Sequence, residues 1–236
     1  MKPVEGKIIL DLCGGTGSWS KPYRDAGYNV QVITLPEYDV TAFCEAQIEK
    51  SNGDWVKGIG FGKKGDDGTC AEDCKLMIPF DEIYGILAAP PCTMFSMART
   101  VAKTPRDLEG AMQIVQACLR IIWMCRYNGK RLAFWAMENP KARLRWFMGK
   151  PAMTFNPYDF GDPHRKPTDL WGNFNTDLKH NQVELNEAQR KQSQLNSREL
   201  PKLPDDYLLP TDFSKRAAQR SITPQGFAQA FFDANK

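Results

Sequence analysis

A cysteine follows two consecutive prolines at the end of an apolar segment, which is a suitable position for a nucleophile. The stretch reads AAPPCTMFS, residues 88–96, and its cysteine is Cys92. Prolines lack an N–H donor and fix φ, so the pair ends a strand and stiffens the turn that carries the thiol. A rigidly held thiol can act as a nucleophile when nearby groups favour the thiolate. The alternative is that Cys92 is a small buried apolar residue, as free cysteines often are.

Glu138 is the second candidate, because it directly follows the apolar segment at residues 132–137. Partial burial at a strand end raises the pKa of a carboxyl group, which can then donate a proton near neutral pH. The alternative is an ordinary ion-paired carboxylate. The arginines that the sequence offers as partners are Arg99, Arg143 and Arg165.

A glycine-rich stretch, DLCGGTGSW at residues 11–19, follows the first apolar segment. Gly14, Gly15 and Gly17 would let a ligand approach the backbone closely, with N–H groups pointing outward at the start of a helix. The spacing matches neither the dinucleotide-binding pattern nor the phosphate-loop pattern. A tight turn without a ligand is the alternative.

Alternating apolar segments and helical patterns predict the elements that position these candidates. We expect strands at residues 7–12, 29–35, 83–89 and 131–137, and one or two more within 152–175. We expect a short helix ended by Gly27, a long helix that Thr104 caps and Gly129 ends, and a C-terminal helix capped near Thr223. Residues 36–82 are typical of a loop or hairpin. Residues 176–220 are irregular, with a possible helix at 186–194.

This order of elements predicts an α/β fold with a mostly parallel sheet and helices on both faces. In such sheets ligands bind at the carboxyl ends of the strands. The glycine-rich stretch, the Pro-Pro-Cys turn and the segment Glu138-Asn139-Pro140 all follow strands, so one crevice could hold all three.

The length, net charge and cysteine content of the chain limit the classes of function to be considered. The 236 residues suffice for one domain with a small appendage, and the net charge of +3 permits polyanion binding without requiring it.

Seven scattered cysteines favour reduced thiols in a cytosol over a disulfide framework. No apolar run is long enough for a membrane span, and the N-terminus does not read as a signal peptide. Cys70 and Cys74 lack nearby ligands for zinc, so we expect no metal.

DLCGGTGSW, PPCTMFS and MENP, in that order, resemble the cofactor loop, the Pro-Cys loop and the Glu-Asn loop of the C5-cytosine DNA methyltransferases. YDFGDPHRKPTDLWGNF stands where that family has a Gln-x-Arg-x-Arg strand, and RSITPQGFAQAF where it has a Gly-Asn-Ser-Val-Pro-Pro segment and a helix. The resemblance excludes residues 42–80 and 176–215. It implies a Rossmann-like S-adenosylmethionine-dependent methyltransferase fold. Residues 1–175 with 216–236 would form the catalytic domain, and 176–215 a minimal target-recognition segment.

The resemblance also implies roles for individual residues. Cys92 would add to carbon 6 of cytosine, and Glu138 would protonate the ring at N3. Lys166 or Thr168 would contact the cytosine carbonyl, or Arg165 would compensate from the neighbouring position. The residues expected around S-adenosylmethionine are Asp11, Cys13, Gly14, Gly15, Thr16, Gly17, Trp19, Glu37, Asp39, Pro90, Ser221 and Thr223. The residues expected to contact DNA are Ser96, Arg99, Lys103, Arg143 and Arg145.

The short recognition segment leaves the acceptor open. It predicts short or relaxed sequence specificity on DNA, since direct readout needs several side chains on base edges. The same chemistry on single-stranded DNA, RNA or a free cytosine nucleotide is an alternative, as is a catalytically silent cofactor or nucleic-acid binder. We expect a cytoplasmic protein of a bacterium or phage-infected cell, with a monomer favoured.

Overall fold

The fold is built on two β-sheets. The computed structural model describes residues 6–63, 74–97, 104–191, 199–210 and 214–236. The larger sheet of the described residues contains β1 (Ile8–Leu12), β2 (Asn29–Ile33), β6 (Ile83–Ala88), β7 (Phe134–Pro140), β8 (Met153–Phe155) and β9 (Thr168–Asn173). The smaller sheet contains β3 (Phe43–Glu49), β4 (Trp55–Phe61) and β5 (Leu76–Pro79).

The larger sheet has the strand order β2-β1-β6-β7-β9-β8. The strands β2, β1, β6 and β7 are mutually parallel, whereas β9 runs antiparallel to both β7 and β8. Every residue of β1 is buried, as expected for a parallel strand covered on both faces. The expectation of a mixed α/β fold with a mostly parallel sheet is confirmed.

The smaller sheet corrects the expectation that residues 36–82 form only a loop or hairpin. β4 pairs antiparallel with β3 on one side and with β5 on the other. Its glycines are needed where neighbouring segments approach closely: a Cβ at Gly58 would lie 2.4 Å from the Ile78 carbonyl oxygen, and one at Gly60 would lie 2.6 Å from Cys74 Sγ. Glycines that suggest a flexible loop in the sequence are here required by packing between strands.

Helices cover both faces of the larger sheet. The described helices are α1 (Lys21–Asp25), α2 (Leu108–Asn128), α3 (Arg145–Met148), α4 (Glu187–Lys191), α5 (Lys215–Ser221) and α6 (Gln225–Ala234). The long helix α2 begins later than expected, because Asp107 and not Thr104 caps it by accepting a hydrogen bond from the Gly110 N–H. Gly129 follows its last residue, as expected.

Two hydrophobic clusters hold these layers together. One cluster packs α2 residues such as Val115 and Ile121 against β1 and β6. The other is aromatic and joins α1 and α6 to the opposite face, with the Tyr23 and Phe134 rings stacked 5.7 Å apart. Because α6 forms part of this second cluster, the C-terminal end of the chain is fixed against the sheet. None of the described helices combines the length and apolar character that crossing a membrane requires.

Candidate active site

Three strand ends of the larger sheet lie in one row, and this row positions the candidate site. Leu12 of β1 pairs with Ala88 of β6, and Ala88 pairs with Met137 of β7. Because these strands are parallel, the glycine-rich stretch, the Pro-Pro-Cys turn and Glu138 follow them at the same edge. The structure thus brings together the three segments that the sequence singled out.

Cys92 sits in a tight turn that is anchored to β7. Its carbonyl oxygen accepts hydrogen bonds from the N–H groups of Phe95 (3.0 Å) and Ser96 (2.8 Å). The side-chain amide of buried Asn139 donates to the Pro90 carbonyl at 2.9 Å. This bond joins the turn that carries the thiol to the strand that carries the carboxyl group. The sequence placed Asn139 only as a neighbour of Glu138 and gave it no role.

Glu138 lies within β7 and not in a loop after it. The strand was expected to end at residue 137, but it continues through Pro140 because β9 pairs with it antiparallel, with Leu170 opposite Glu138. The residue is half-buried, and burial of its carboxyl group raises the pKa, while the nearby Lys166 lowers it. The net rise favours a protonated carboxyl group, which is the form that can donate a proton.

Lys166 places a positive charge close to both candidate groups. Burial raises the pKa of the Cys92 thiol most strongly, Lys166 opposes that rise, and Glu138 adds to it. The ammonium group also donates to the Arg220 carbonyl at 3.1 Å, which ties it to the end of α5. Cys92, Glu138 and Lys166 therefore form one electrostatic cluster, with Lys166 as the group that favours the reactive thiolate.

The segment that carries Arg165 and Lys166 is not part of a strand, although the resemblance implied one there. β9 begins only at Thr168, whose hydroxyl donates to the Lys166 carbonyl at 2.9 Å. Residues 162–167 are outside any strand, so the alternation of strand faces does not decide between Arg165 and Lys166. Arg165 is exposed. Lys166 differs from it because its charge lowers the pKa of both Cys92 and Glu138.

The glycine-rich stretch is built around the buried side chain of Asp11. Ser20 Oγ donates to Asp11 Oδ2 at 2.5 Å, and Asp11 Oδ1 accepts no hydrogen bond from the described residues. A Cβ at Gly14 would lie 2.3 Å from Asp11 Cγ, so only glycine fits beside the carboxyl group. Burial raises the Asp11 pKa to about 6 against the lowering effect of the Ser20 hydrogen bond.

The loop after Gly14 contains residues with positive φ and has open space at Gly15. Gly15 and Gly17 have φ of 55° and 66°, and Cys13 has φ of 56°. Among the described residues, only the chain neighbours of Gly15 would lie within 4 Å of a Cβ there. The loop thus leaves open space at Gly15, and Thr16 follows in the same turn.

Two further residues expected at the cofactor differ in their surroundings. Asp39 lies close enough to Cys13 to raise its pKa, although the hydrogen bond with Cys118 and burial contribute more. One Asp39 oxygen accepts from the N–H and hydroxyl of Thr41, at 2.8 and 2.7 Å. Glu37 is exposed and hydrogen-bonded to Tyr38. Asp39 is therefore next to the loop and Glu37 is oriented toward its own neighbour.

The C-terminal segment meets the glycine-rich stretch through Ser18. The Thr223 N–H donates to Ser18 Oγ at 2.9 Å, a contact that the sequence did not suggest for Ser18. Ser221 Oγ donates to the Ala218 carbonyl at 2.7 Å. Trp19 is buried, and its ring packs 5.4 Å from that of Phe231 in α6, so the structure places Trp19 in the aromatic core.

The residues expected to contact nucleic acid separate into different environments. Arg145 forms a two-pronged ion pair with fully buried Asp169 and also contacts Thr154, so its charge is already compensated. Arg143 lies over the exposed ring of Trp146, with its guanidinium carbon 5.5 Å from the centroid. Ser96 is part of the Cys92 turn. Arg99 and Lys103 lie outside the described residues.

Comparisons with protein-family models and with curated proteins identified no relative of this chain. No protein-family model matches the sequence, and no curated protein matches it. Within the described ranges, no group of three or more His, Cys, Asp or Glu side chains could hold a metal ion. A function for this protein is therefore proposed below from the geometry of the site and from the three motifs.

Proposed function

We propose that this protein transfers a methyl group from S-adenosylmethionine to carbon 5 of cytosine in DNA, through a covalent bond between Cys92 and carbon 6. The observation that carries the proposal is the Cys92–Glu138–Lys166 cluster at the sheet edge where the glycine-rich stretch also opens. A nucleophile, a proton donor and a fixed cation in one place are what addition to an electron-poor ring requires. The fold supports this assignment because ligands of parallel α/β sheets bind at that edge.

Cys92 would donate an electron pair to the cytosine ring, and Glu138 would donate a proton to it. The Cys92 thiolate forms a bond to carbon 6, and the electrons of the C5–C6 double bond move into the ring. Glu138, whose pKa is raised by burial of its carboxyl group, donates a proton at N3 and stabilises the resulting enamine. Carbon 5 would then take the methyl group, with S-adenosylhomocysteine as the product that leaves. Carbon 5 would lose its proton to solvent, the C5–C6 double bond would re-form as the C6–S bond breaks, the N3 proton would return to Glu138, and the Cys92 thiolate would be regenerated.

Lys166 would act through its charge. Burial disfavours the Cys92 thiolate, and the Lys166 ammonium partly offsets this cost. The bond from Lys166 to the Arg220 carbonyl keeps the ammonium in place. Lys166 is thus a positioning and electrostatic residue for the nucleophile, where the resemblance implied a contact with the cytosine carbonyl.

The glycine-rich stretch fits the donor molecule. S-adenosylmethionine, when bound, would supply an electrophilic methyl group. Asp11 offers a buried carboxyl oxygen without a described partner, and Gly15 leaves open space elsewhere in the same stretch. Gly14 avoids the clash that a Cβ would make with the Asp11 carboxyl group, and Asp39 lies close to the same loop. These residues, together with Thr16 and Gly17, would bind the donor.

Trapping with 5-fluorocytosine tests the proposal. Fluorine at carbon 5 cannot leave as a proton does, so the covalent adduct accumulates. We expect the wild-type protein, with S-adenosylmethionine and a 5-fluorocytosine oligonucleotide, to give an adduct whose mass includes protein, DNA and one methyl group. Peptide mapping should place the bond on Cys92.

Matched variants make the test specific. Cys92→Ser should give no adduct, whereas Cys44→Ser, at another half-buried cysteine, should give the wild-type amount. Glu138→Gln should lower the adduct yield strongly because the amide cannot donate the ring proton in the same way. An adduct that forms equally in Cys92→Ser, or none from folded wild-type protein on any cytosine-containing DNA, would refute the proposal.

A further inference from the structure

An exposed aromatic patch lies directly beside the Cys92 turn. Trp146 and Phe147 of α3 are 72% and 49% exposed, and Met97 at the end of the turn is 60% exposed. Large apolar side chains that remain exposed together are a common mark of a binding surface. We call these three residues the Trp146 patch.

Several contacts join the patch rigidly to the turn. The Arg143 N–H donates to the Phe95 carbonyl at 3.3 Å, and the rings of Phe95 and Phe147 are 6.3 Å apart edge to face. The Phe95 N–H in turn donates to the Cys92 carbonyl. One hydrogen-bonded turn therefore separates the candidate nucleophile from the patch, so a nucleotide next to the target base could reach it.

The charge around the patch indicates what it binds. Arg143 lies over the Trp146 ring and also contacts the Met97 sulfur at 3.1 Å. Exposed Lys141 and Lys150 flank α3, and residues 141–150 contain no acidic residue. Exposed aromatic rings beside cations, without acids, complement a polyanion that carries flat apolar groups, which is a description of an unpaired nucleic-acid strand.

We propose that the Trp146 patch is a stacking subsite for an unpaired DNA base that flanks the target cytosine, so that the acceptor is single-stranded DNA. This inference rests on the proposed function for the identity of the target base. A paired base exposes only its edges, whereas an unpaired base presents the flat face that stacks on tryptophan. A free cytosine nucleotide has no flanking base and would leave the patch unused.

Binding measured without the methyl donor tests the subsite separately from catalysis. A fluorescein-labelled single-stranded oligodeoxynucleotide with one cytosine would be titrated with the full chain and followed by anisotropy. Stacking on one aromatic side chain predicts roughly 5- to 150-fold weaker binding for Trp146→Ala. Trp146→Phe should keep binding near wild type, and Trp123→Ala, at a similarly exposed tryptophan (66%) on α2, should not change it.

The salt dependence distinguishes stacking from an electrostatic or folding effect. The slope of log K against log salt should be the same in Trp146→Ala as in wild type, because no phosphate contact is lost. Arg143→Ala should reduce the slope, by about 0.7 for one contact with a single strand. The fully paired duplex should lose much less affinity than the single strand when Trp146 is replaced.

The outcomes keep the two proposals separate. Unchanged single-strand binding in Trp146→Ala, or an equal loss for single strand and duplex, would overturn the subsite even if Cys92 is trapped. A Trp146 effect on single-strand binding would support the subsite even if trapping fails and the proposed chemistry falls.

Discussion

Replacing Gly14 with alanine should disrupt the glycine-rich stretch through one defined clash. The new Cβ would lie 2.3 Å from Asp11 Cγ and 2.5 and 2.6 Å from the two carboxyl oxygens. Asp11 is fully buried and hydrogen-bonded to Ser20, so we expect the clash to disturb that hydrogen bond. Overpacking of this kind costs about 1–3 kcal/mol, and a weakened hydrogen bond to a carboxyl group adds about 1 kcal/mol. We therefore expect Gly14→Ala to lower the free energy of unfolding by about 2–4 kcal/mol.

The adjacent glycine provides a matched control. Gly15→Ala meets no new neighbour among the described residues, but its φ of 55° is unfavourable for alanine. That backbone strain alone costs about 1–2 kcal/mol. Urea denaturation should thus rank the stabilities as wild type, then Gly15→Ala, then Gly14→Ala.

A double-mutant cycle identifies the mechanism. In a Ser20→Ala background the Asp11–Ser20 bond is already absent, so Gly14→Ala should cost about 1 kcal/mol less than in wild type. Binding of S-adenosylmethionine, measured by calorimetry, should weaken in Gly14→Ala if the proposed donor site is correct. A Gly14→Ala protein as stable as Gly15→Ala, or fully additive costs with Ser20→Ala, would refute the reasoning.

Two further predictions concern titrating groups. Burial raises the Asp11 pKa to about 6 in the folded protein, against 3.8 for the free group, so the folded state binds the proton more tightly than the unfolded state. Protonated Asp11 therefore stabilises the folded state, and this contribution is lost as pH rises from about 4 to 6. The free energy of unfolding of Asp11→Asn, relative to wild type, should therefore rise by up to about 3 kcal/mol between pH 4 and pH 7, and a constant difference would contradict the burial argument. Lys166→Met removes the charge that lowers the Cys92 pKa, so iodoacetamide should label Cys92 several-fold more slowly at pH 8, as followed by peptide mass spectrometry. Lys166→Arg should retain most of the labelling rate, and equal rates in all three proteins would exclude an electrostatic role for Lys166.

Local sequence patterns were sufficient where an element is defined by its own residues. The apolar segment before the two prolines predicted β6, and Gly129 correctly ended α2. They failed where a distant segment decides: Glu138 lies within β7 because β9 pairs with it. The cap of α2 is an exception, because a local pattern predicted Thr104 there and the cap is Asp107, whose side chain accepts a hydrogen bond from the Gly110 N–H three residues later.

For the candidate site, the sequence by itself determined the residue types and the strand ends that carry them, because prolines, glycines and apolar runs act on their own backbone. Only the tertiary structure placed Leu12, Ala88 and Met137 in one row and brought the Lys166 charge to Cys92 and Glu138. It likewise buried Trp19 in the core and gave Arg145 an acidic partner, although both were expected at ligands. The reason is that register, burial and charge pairing depend on segments tens of residues apart, which no local pattern encodes.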